Sequence, residues 1–269
     1  MAKVVLNVII HCLVALMLAI LTQVGAVTYA VSLLLYFAFR QIRWLGFLLA
    51  NISLYALCTF LIVPQTAPMF GRVPLAFNDH LKPANAWLSI GHNRNFVVPE
   101  LNRLLGDLSR DMAELDSNVV VTVLDANFPF INHYPLLPHL SHDDGRKVDL
   151  ANLYEDEKGV LVAGTPSRSG YGVFEHPAPD ETNTNERCKD QGYFQYDYPK
   201  YLTLDVSNET YNFSTEWNKT LLEILLSYAT VEKVFVEPHL VNRLQLDNNR
   251  VRFHGCGAVR HDDHIHVQI

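Results

Sequence analysis

Charge is missing from long parts of this chain. Between Val4 and Phe39 there is no Asp, Glu, Lys or Arg, and the same is true from Trp44 to Gly71. Uncharged runs of this length are the strongest kind of membrane signal. The competing explanation, a helix pair buried in a soluble core, is weaker for that reason. A basic stripe is also missing. The 21 Lys and Arg stand against 28 Asp and Glu, for a formal net charge of −7, and no stretch collects the cations. That argues against a nucleic-acid partner. No A-x-A-like site ends the first apolar run, and more apolar sequence follows, so the run does not read as a cleaved leader. No internal repeat is visible. Serines occur in TPSRSG (165–170) and SIGH (89–92). Neither has the surroundings of an acyl-enzyme elbow, so nothing points to a serine nucleophile.

What is present divides the chain in two. An apolar helix needs roughly 20 residues to cross a hydrocarbon core about 30 Å thick. The first run is nearly twice that, and TQVG (22–25) is the natural place for a tight hairpin. Residues 1–64 therefore predict about three transmembrane helices, near 4–22, 25–39 and 44–63, the last ended by Pro64. Lys3 precedes the first span, and Arg40 and Arg43 lie between the second and third. The positive-inside rule puts both groups in the cytoplasm. Everything after Pro64 is then outside. The expectation is a multi-pass protein of the inner (cytoplasmic) membrane, held in the lipid bilayer, with a periplasmic or extracytoplasmic domain.

That domain holds all the acids and every histidine except His11. Residues 65–88, with Pro68, Pro74 and Pro83, read as a linker, and 89–269 as the folded unit. Pro99–Asp116 spaces Leu101, Leu104, Leu105, Leu108, Met112 and Leu115 as a helix does, and Pro99 suits a first turn. Residues 117–128 and 146–154 read as strands, 215–230 as a second amphipathic helix, and 231–238 and 262–269 as the last strands. The polar stretch from Glu155 to about Lys200 has no period; it is either a functional flap or mobile. Helices and strands mix without regular alternation, which predicts an α+β fold with a mainly antiparallel sheet and flanking helices. Of four cysteines, Cys12 and Cys58 fall in the apolar runs. Cys188 and Cys256 fall in the polar domain, where they either pair in an oxidising space or remain two free thiols. Sequons occur at Asn208, Asn212 and Asn218, and matter only in a eukaryotic secretory path.

The closing stretch RHDDHIHVQI (260–269) contains His261, His264 and His266. On a strand, side chains alternate faces, so His264 and His266 point one way and Ile265 and Val267 the other. Two imidazoles on one face suit a common metal ion, though a solvent-facing pair has the same pattern. PHLSHDDGRKVDL (138–150) adds His142 and Asp149, with Gly145 between them to permit a turn. Asp149 sits between Val148 and Leu150, where a carboxylate costs free energy unless it is paired or bound to a metal. Catalytic zinc takes three ligands from His and carboxylate plus a water. Asp143, Asp144, Asp262 and Asp263 are available to hold imidazole tautomers. Arg94 in GHNRNF is either a fork for a substrate carboxylate or a structural ion pair.

Together, HxxHxxGxxxD at His139–Asp149 and HxxHxH at His261–His266 resemble the zinc peptidases that group lysostaphin, D-alanyl-D-alanine peptidases and the hedgehog signalling domain. The likeness is greatest to the penicillin-insensitive murein endopeptidases. It spans about residues 85–269 and not the apolar block. It implies zinc (Zn2+) as cofactor, with His142, Asp149 and His266 as ligands. It implies His264 as the catalytic histidine that does not bind metal, and His139 and His261 as residues lining the site. The activity it implies is hydrolysis of amide bonds in peptidoglycan peptide cross-links by a membrane-anchored zinc metallopeptidase. A non-catalytic, metal-stabilised binding or signalling domain is the alternative. A membrane scaffold whose spans do the work is a third.

Overall fold

The structure, a computed structural model, describes residues 1–39, 43–206 and 210–269. Arg40, used above for orientation, and the sequon residue Asn208 lie outside the described residues. Helices α1 (Ala2–Thr22) and α2 (Gly25–Ala38) form the expected hairpin. Gln23 makes the turn with a left-handed φ of 63°. Gly25 follows because a Cβ there would sit 2.6 Å from Thr22 Oγ1.

The third apolar helix, α3 (Trp44–Leu57), does not stop at Pro64. It continues through a π turn (Cys58–Ile62), a helical turn (Val63–Thr66) and a 3-10 turn (Ala67–Phe70). A proline ring clashes with the carbonyl four residues before it, and the widened π turn takes up that clash. Among the described residues, two helices are long and apolar enough to cross a membrane, Lys3–Thr22 and Trp44–Phe70. Helix α2 has 14 residues, about 21 Å of helix, short of a hydrocarbon core. The expected count of about three is thus corrected to two, with α2 packed against both.

Residues 65–88 are not a linker. Ala67, Leu75 and Leu81 are buried, and Val73–Pro74 pairs with Phe96–Val97. Strand β1 (Leu81–Pro83) forms one edge of the main sheet. Its other strands are β2 (Val121–Asp125), β3 (Lys147–Ala151), β4 (Lys233–Phe235), β5 (Val251–Arg252) and β6 (His264–Gln268). Their order is β5-β4-β6-β3-β2-β1. The four inner strands are antiparallel, but both edges, β5 on β4 and β1 on β2, are parallel. The fold is α+β with flanking helices, and the main sheet is mixed: antiparallel through its four inner strands, as expected, and parallel at both edges. Each parallel edge follows from a helical crossover, Pro99–Leu115 between β1 and β2 and Pro238–Arg243 between β4 and β5.

One face of this sheet is apolar. Val121, Val123, Val148, Leu150, Val234, Ile265 and Val267 join the core with helix α4 (Pro99–Leu115) and helix α5 (Thr215–Ser227). Helix α4 has Pro99 in its first turn and buries Leu101, Leu104, Leu105, Leu108 and Met112, while Leu115 stays exposed. Helix α5 is capped by Ser214, whose side chain accepts from Trp217 N, and buries Leu221, Leu222, Leu225 and Leu226. Truncating any of these leucines to alanine costs about 2–5 kcal/mol. Asn218 is fully buried, with its amide bonded to the Leu153 backbone, so that sequon cannot carry a glycan.

The 155–200 stretch carries short regular elements. It holds the strand pair Tyr154–Glu155 and Leu161–Val162, a helix at Thr184–Asp190 capped by Asn183, and a 3-10 segment at Phe194–Tyr201. A disulfide between Cys188 and Cys256, with Cα atoms 5.2 Å apart, ties it to the segment preceding β6.

Candidate functional site

The polar face of the sheet is built by register. His266 on β6 stands directly opposite Asp149 on β3, and Phe235 on β4 stands opposite His266 on the other side. At a bulge in the β2–β3 ladder, Asp125 aligns with Asp149. Four neighbouring strands therefore present Asp125, Asp149, His266 and Phe235 as one row, because directly opposite residues share a face. His264, two positions before His266, lies on the same face. The loop from β2 to β3 folds over this row and brings His139 and His142.

The innermost contacts are short. His142 Nε2 lies 3.1 Å from Asp149 Oδ1 and 3.2 Å from His266 Nδ1, and His266 Nδ1 lies 2.8 Å from Asp149 Oδ1. All three residues are buried. His142 Nδ1 donates to the Ala126 carbonyl at 2.8 Å, which leaves Nε2 as the nitrogen with the lone pair in the neutral ring. Three electron-rich atoms then face one another, an arrangement that needs a shared proton or a cation. His139, His142 and Asp149 offer ligand atoms all within 4.8 Å of one another, a group that could hold a metal ion. The structure also brings His266 against two of them. The donor set of imidazole and carboxylate suits a divalent transition metal.

Around this centre each group has a partner. His139 Nδ1 donates to Asp125 Oδ2 at 2.9 Å, and Arg94 grips both oxygens of Asp125, with Nε to Oδ1 at 2.9 Å. Arg94 is therefore a structural ion pair. The Tyr171 hydroxyl donates to Asp149 Oδ2 at 2.8 Å. His264 Nδ1 donates to Asp263 Oδ1 at 2.5 Å, and the other Asp263 oxygen accepts from Gly172 N. His264 Nε2 faces inward, 3.8 Å from Asp149 Oδ2. The His261 ring packs between His264 and His254, at centroid distances of 4.8 and 5.5 Å. Of the four aspartates proposed as acceptors, only Asp263 holds a site imidazole. Asp143 pairs with His133 and Lys147, Asp144 with Lys147, and Asp262 with Arg260.

The electrostatics follow from burial and these partners. Burial pushes the Asp149 carboxyl up, but His142 and His264 outweigh it and hold it well below the usual range. Burial works against a charged His142, yet Asp149 raises it. His264 is likewise opposed by burial, and Asp263 and Asp149 bring it up to about 9. Burial pushes His266 down to about 4 and His261 well below the imidazole range. Asp125, despite burial, is held at about 2 by Arg94 and His139.

A cavity of about 400 Å3 opens onto His139, His142, Asp149, His261, His264 and His266. Gln195, Tyr198 and Pro199 from the disulfide-tied segment form one wall. A smaller cavity of about 200 Å3 shares Pro138, His139 and Leu202 with it. Three residues of this site went unnoticed in the sequence. Asp125 carries the same signal as Asp149, an acid in an apolar strand. Tyr171 lies in the segment without period, and no sequence signal marks it. Glu237, whose Oε1 accepts from Tyr196 OH at 2.6 Å and from His261 N at 2.9 Å, follows an apolar strand as Asp125 does. The chain matches no protein-family model, and no curated protein matches it significantly.

Proposed function

We propose that this protein is a membrane-anchored zinc metallopeptidase that hydrolyses amide bonds in the peptide cross-links of peptidoglycan, outside the cytoplasm. The observation that carries the reading is the convergence of His142 Nε2, Asp149 Oδ1 and His266 Nδ1 within 2.8–3.2 Å of one another. Ligands on a tetrahedral zinc at about 2.0–2.1 Å lie roughly 3.3 Å apart, close to this spacing. His142, Asp149 and His266 would hold the metal, which when bound supplies Lewis acidity toward a carbonyl and toward water at neutral pH. His139 is engaged by Asp125 and Tyr171 instead. It lines the site.

His264 moves the proton. Its Nδ1–H is fixed on Asp263, so Nε2 is the nitrogen turned to the cavity. Asp263 and Asp149 favour the imidazolium at neutral pH, so Nε2–H stands ready to donate its proton to the leaving amine and then recovers one from water. Tyr171 holds Asp149 Oδ2, which keeps Oδ1 toward His142 and His266. The two long apolar helices support the anchor; because two crossings would return the chain to the side of Lys3, the extracytoplasmic placement rests on the disulfide and not on the flanking charges.

The test is metal content and activity of the full chain in detergent, for wild type, His266→Ala and His264→Ala. The expected result is about one zinc in wild type and in His264→Ala, and loss of it in His266→Ala. Murein fragments should be cleaved by wild type alone. A wild type that binds no stoichiometric metal overturns the reading.

A further inference from the structure

The loop that carries His139 and His142 has almost no regular structure between Asp125 and Lys147. Loops of this kind open easily unless something outside them holds them shut. Here the holding groups come from the apolar helices. At the α1–α2 turn, Gln23 Oε1 accepts from Phe130 N at 3.0 Å. The Phe130 ring lies edge-on to Phe70, 5.0 Å away, at the end of the third apolar helix. Val24 and Phe130 pack together on the cluster of Val63, Ala67 and Phe96.

Arg72, two residues past the end of that helix, is 1% exposed. Its guanidinium donates to Phe128 O, to Asn132 Oδ1 at 2.6 Å and to Asp143 O at 3.0 Å. All three acceptors belong to the one loop, two in its first third and one near its end. A buried guanidinium is costly unless its donors are met; both terminal nitrogens are met by this loop, which holds it in that shape, while the buried Nε has no partner among the described residues. Gly145, with φ of 85°, closes the loop against the same side chain, where a Cβ would lie 3.1 Å from Arg72 Nε.

A second line of contacts reaches His139. Tyr55 OH donates to Gly91 O at 2.8 Å, and Asn93 donates to Thr59 Oγ1 at 3.2 Å within the π turn. The next residue, Arg94, grips Asp125 and donates to Leu137 O at 2.8 Å. Asp125 in turn holds His139.

We propose that Gln23 and Arg72 are positioning residues for the metal-binding loop, so that the apolar helices set the geometry of the site rather than merely tether it. The proposal rests on the reading of His142 as a metal ligand. Groups bonded directly to a ligand change metal affinity by about 10–100-fold when removed; Gln23 and Arg72 act one contact further out, through the loop backbone, so the low end of that range is expected. Releasing the clasp should therefore loosen the metal before it unfolds the sheet.

The experiment uses the full chain in bilayer nanodiscs, with cobalt(II) as the metal probe. Gln23→Ala removes the acceptor for Phe130 N, and Asn132→Ala removes an acceptor of Arg72 at an exposed loop position that tolerates truncation. Three quantities are read: the cobalt dissociation constant, the visible ligand-field spectrum, and hydrogen exchange of residues 128–143 in the metal-free protein. The expected result is binding about tenfold weaker, an altered spectrum, and faster exchange in the loop with β3 and β6 as protected as in wild type. A purely structural role would lower the melting temperature and leave the spectrum of bound cobalt unchanged, which overturns the proposal. If wild type binds no cobalt, the metal reading itself fails, and loop exchange alone decides. Exchange unchanged in Gln23→Ala then overturns the clasp, and faster exchange supports it.

Discussion

Glu237 shows how much one carboxyl can tie stability to pH. It is buried, and burial lifts it to about 7 from 4.5. Between those values the folded protein keeps a proton that the unfolded chain has released. The associated stability is complete below about pH 4.5 and is lost as the pH rises through about 7, a difference of about 3 kcal/mol. Glu237→Gln keeps an oxygen to accept from Tyr196 and His261 and removes the titration. Denaturant unfolding followed from about pH 5 to about pH 8 should fall less steeply in the variant than in wild type, and the variant should be the more stable at the upper end. Parallel curves would show that Glu237 is charged in the fold throughout. At this scale the sequence was readable where an ionisable side chain interrupts an apolar strand. Asp149 and the H-x-H pair stand out for that reason, and Asp125 has the same mark. Tyr171 had none, because its hydroxyl reaches Asp149 through tertiary folding of a segment with no period.

Among the elements, the Cys188–Cys256 disulfide closes a separation of 68 residues. Loop-closure entropy for that length gives about 4 kcal/mol. The double variant Cys188→Ser/Cys256→Ser should lose roughly that much in equilibrium unfolding under non-reducing conditions. A loss well under about 1 kcal/mol would mean that the unfolded chain is not constrained by the bridge. Helices α4 and α5 and strands β2, β3, β4 and β6 were legible from period and β-branching. The parallel edges were not. Strands of two or three residues such as β1 and β5 carry too little pattern to reveal a direction, which is set by the helices that lead between strands. The 65–88 stretch misled for a related reason: its prolines mark a first helical turn and strand ends, not a free chain.

For the whole molecule, the apolar helices present a broad outer surface. Val4, Leu6, Leu13, Leu34, Leu49 and Phe60 are all exposed. Such a surface in water is an aggregation hazard, and in a bilayer it is ordinary. Membranes containing the protein should retain it through alkaline carbonate and give it up to detergent. Release by carbonate alone would show that these helices do not span.

The position of β6 sets a timetable for assembly. It lies between β3 and β4, which form no pairing with each other. Until residues 264–268 have been synthesised, the chain holds two separate part-sheets with open edges, one ending in β3 and the other in β4. The pairing that joins them spans more than a hundred positions, since His266 meets Asp149, and contacts so distant form late. Coalescence of the sheet and arrival of His264 and His266 are thus a single event. A nascent chain short of this strand has neither a closed core nor a complete imidazole cluster, and its exposed strand edges are the surface on which a chaperone or an aggregate would first take hold.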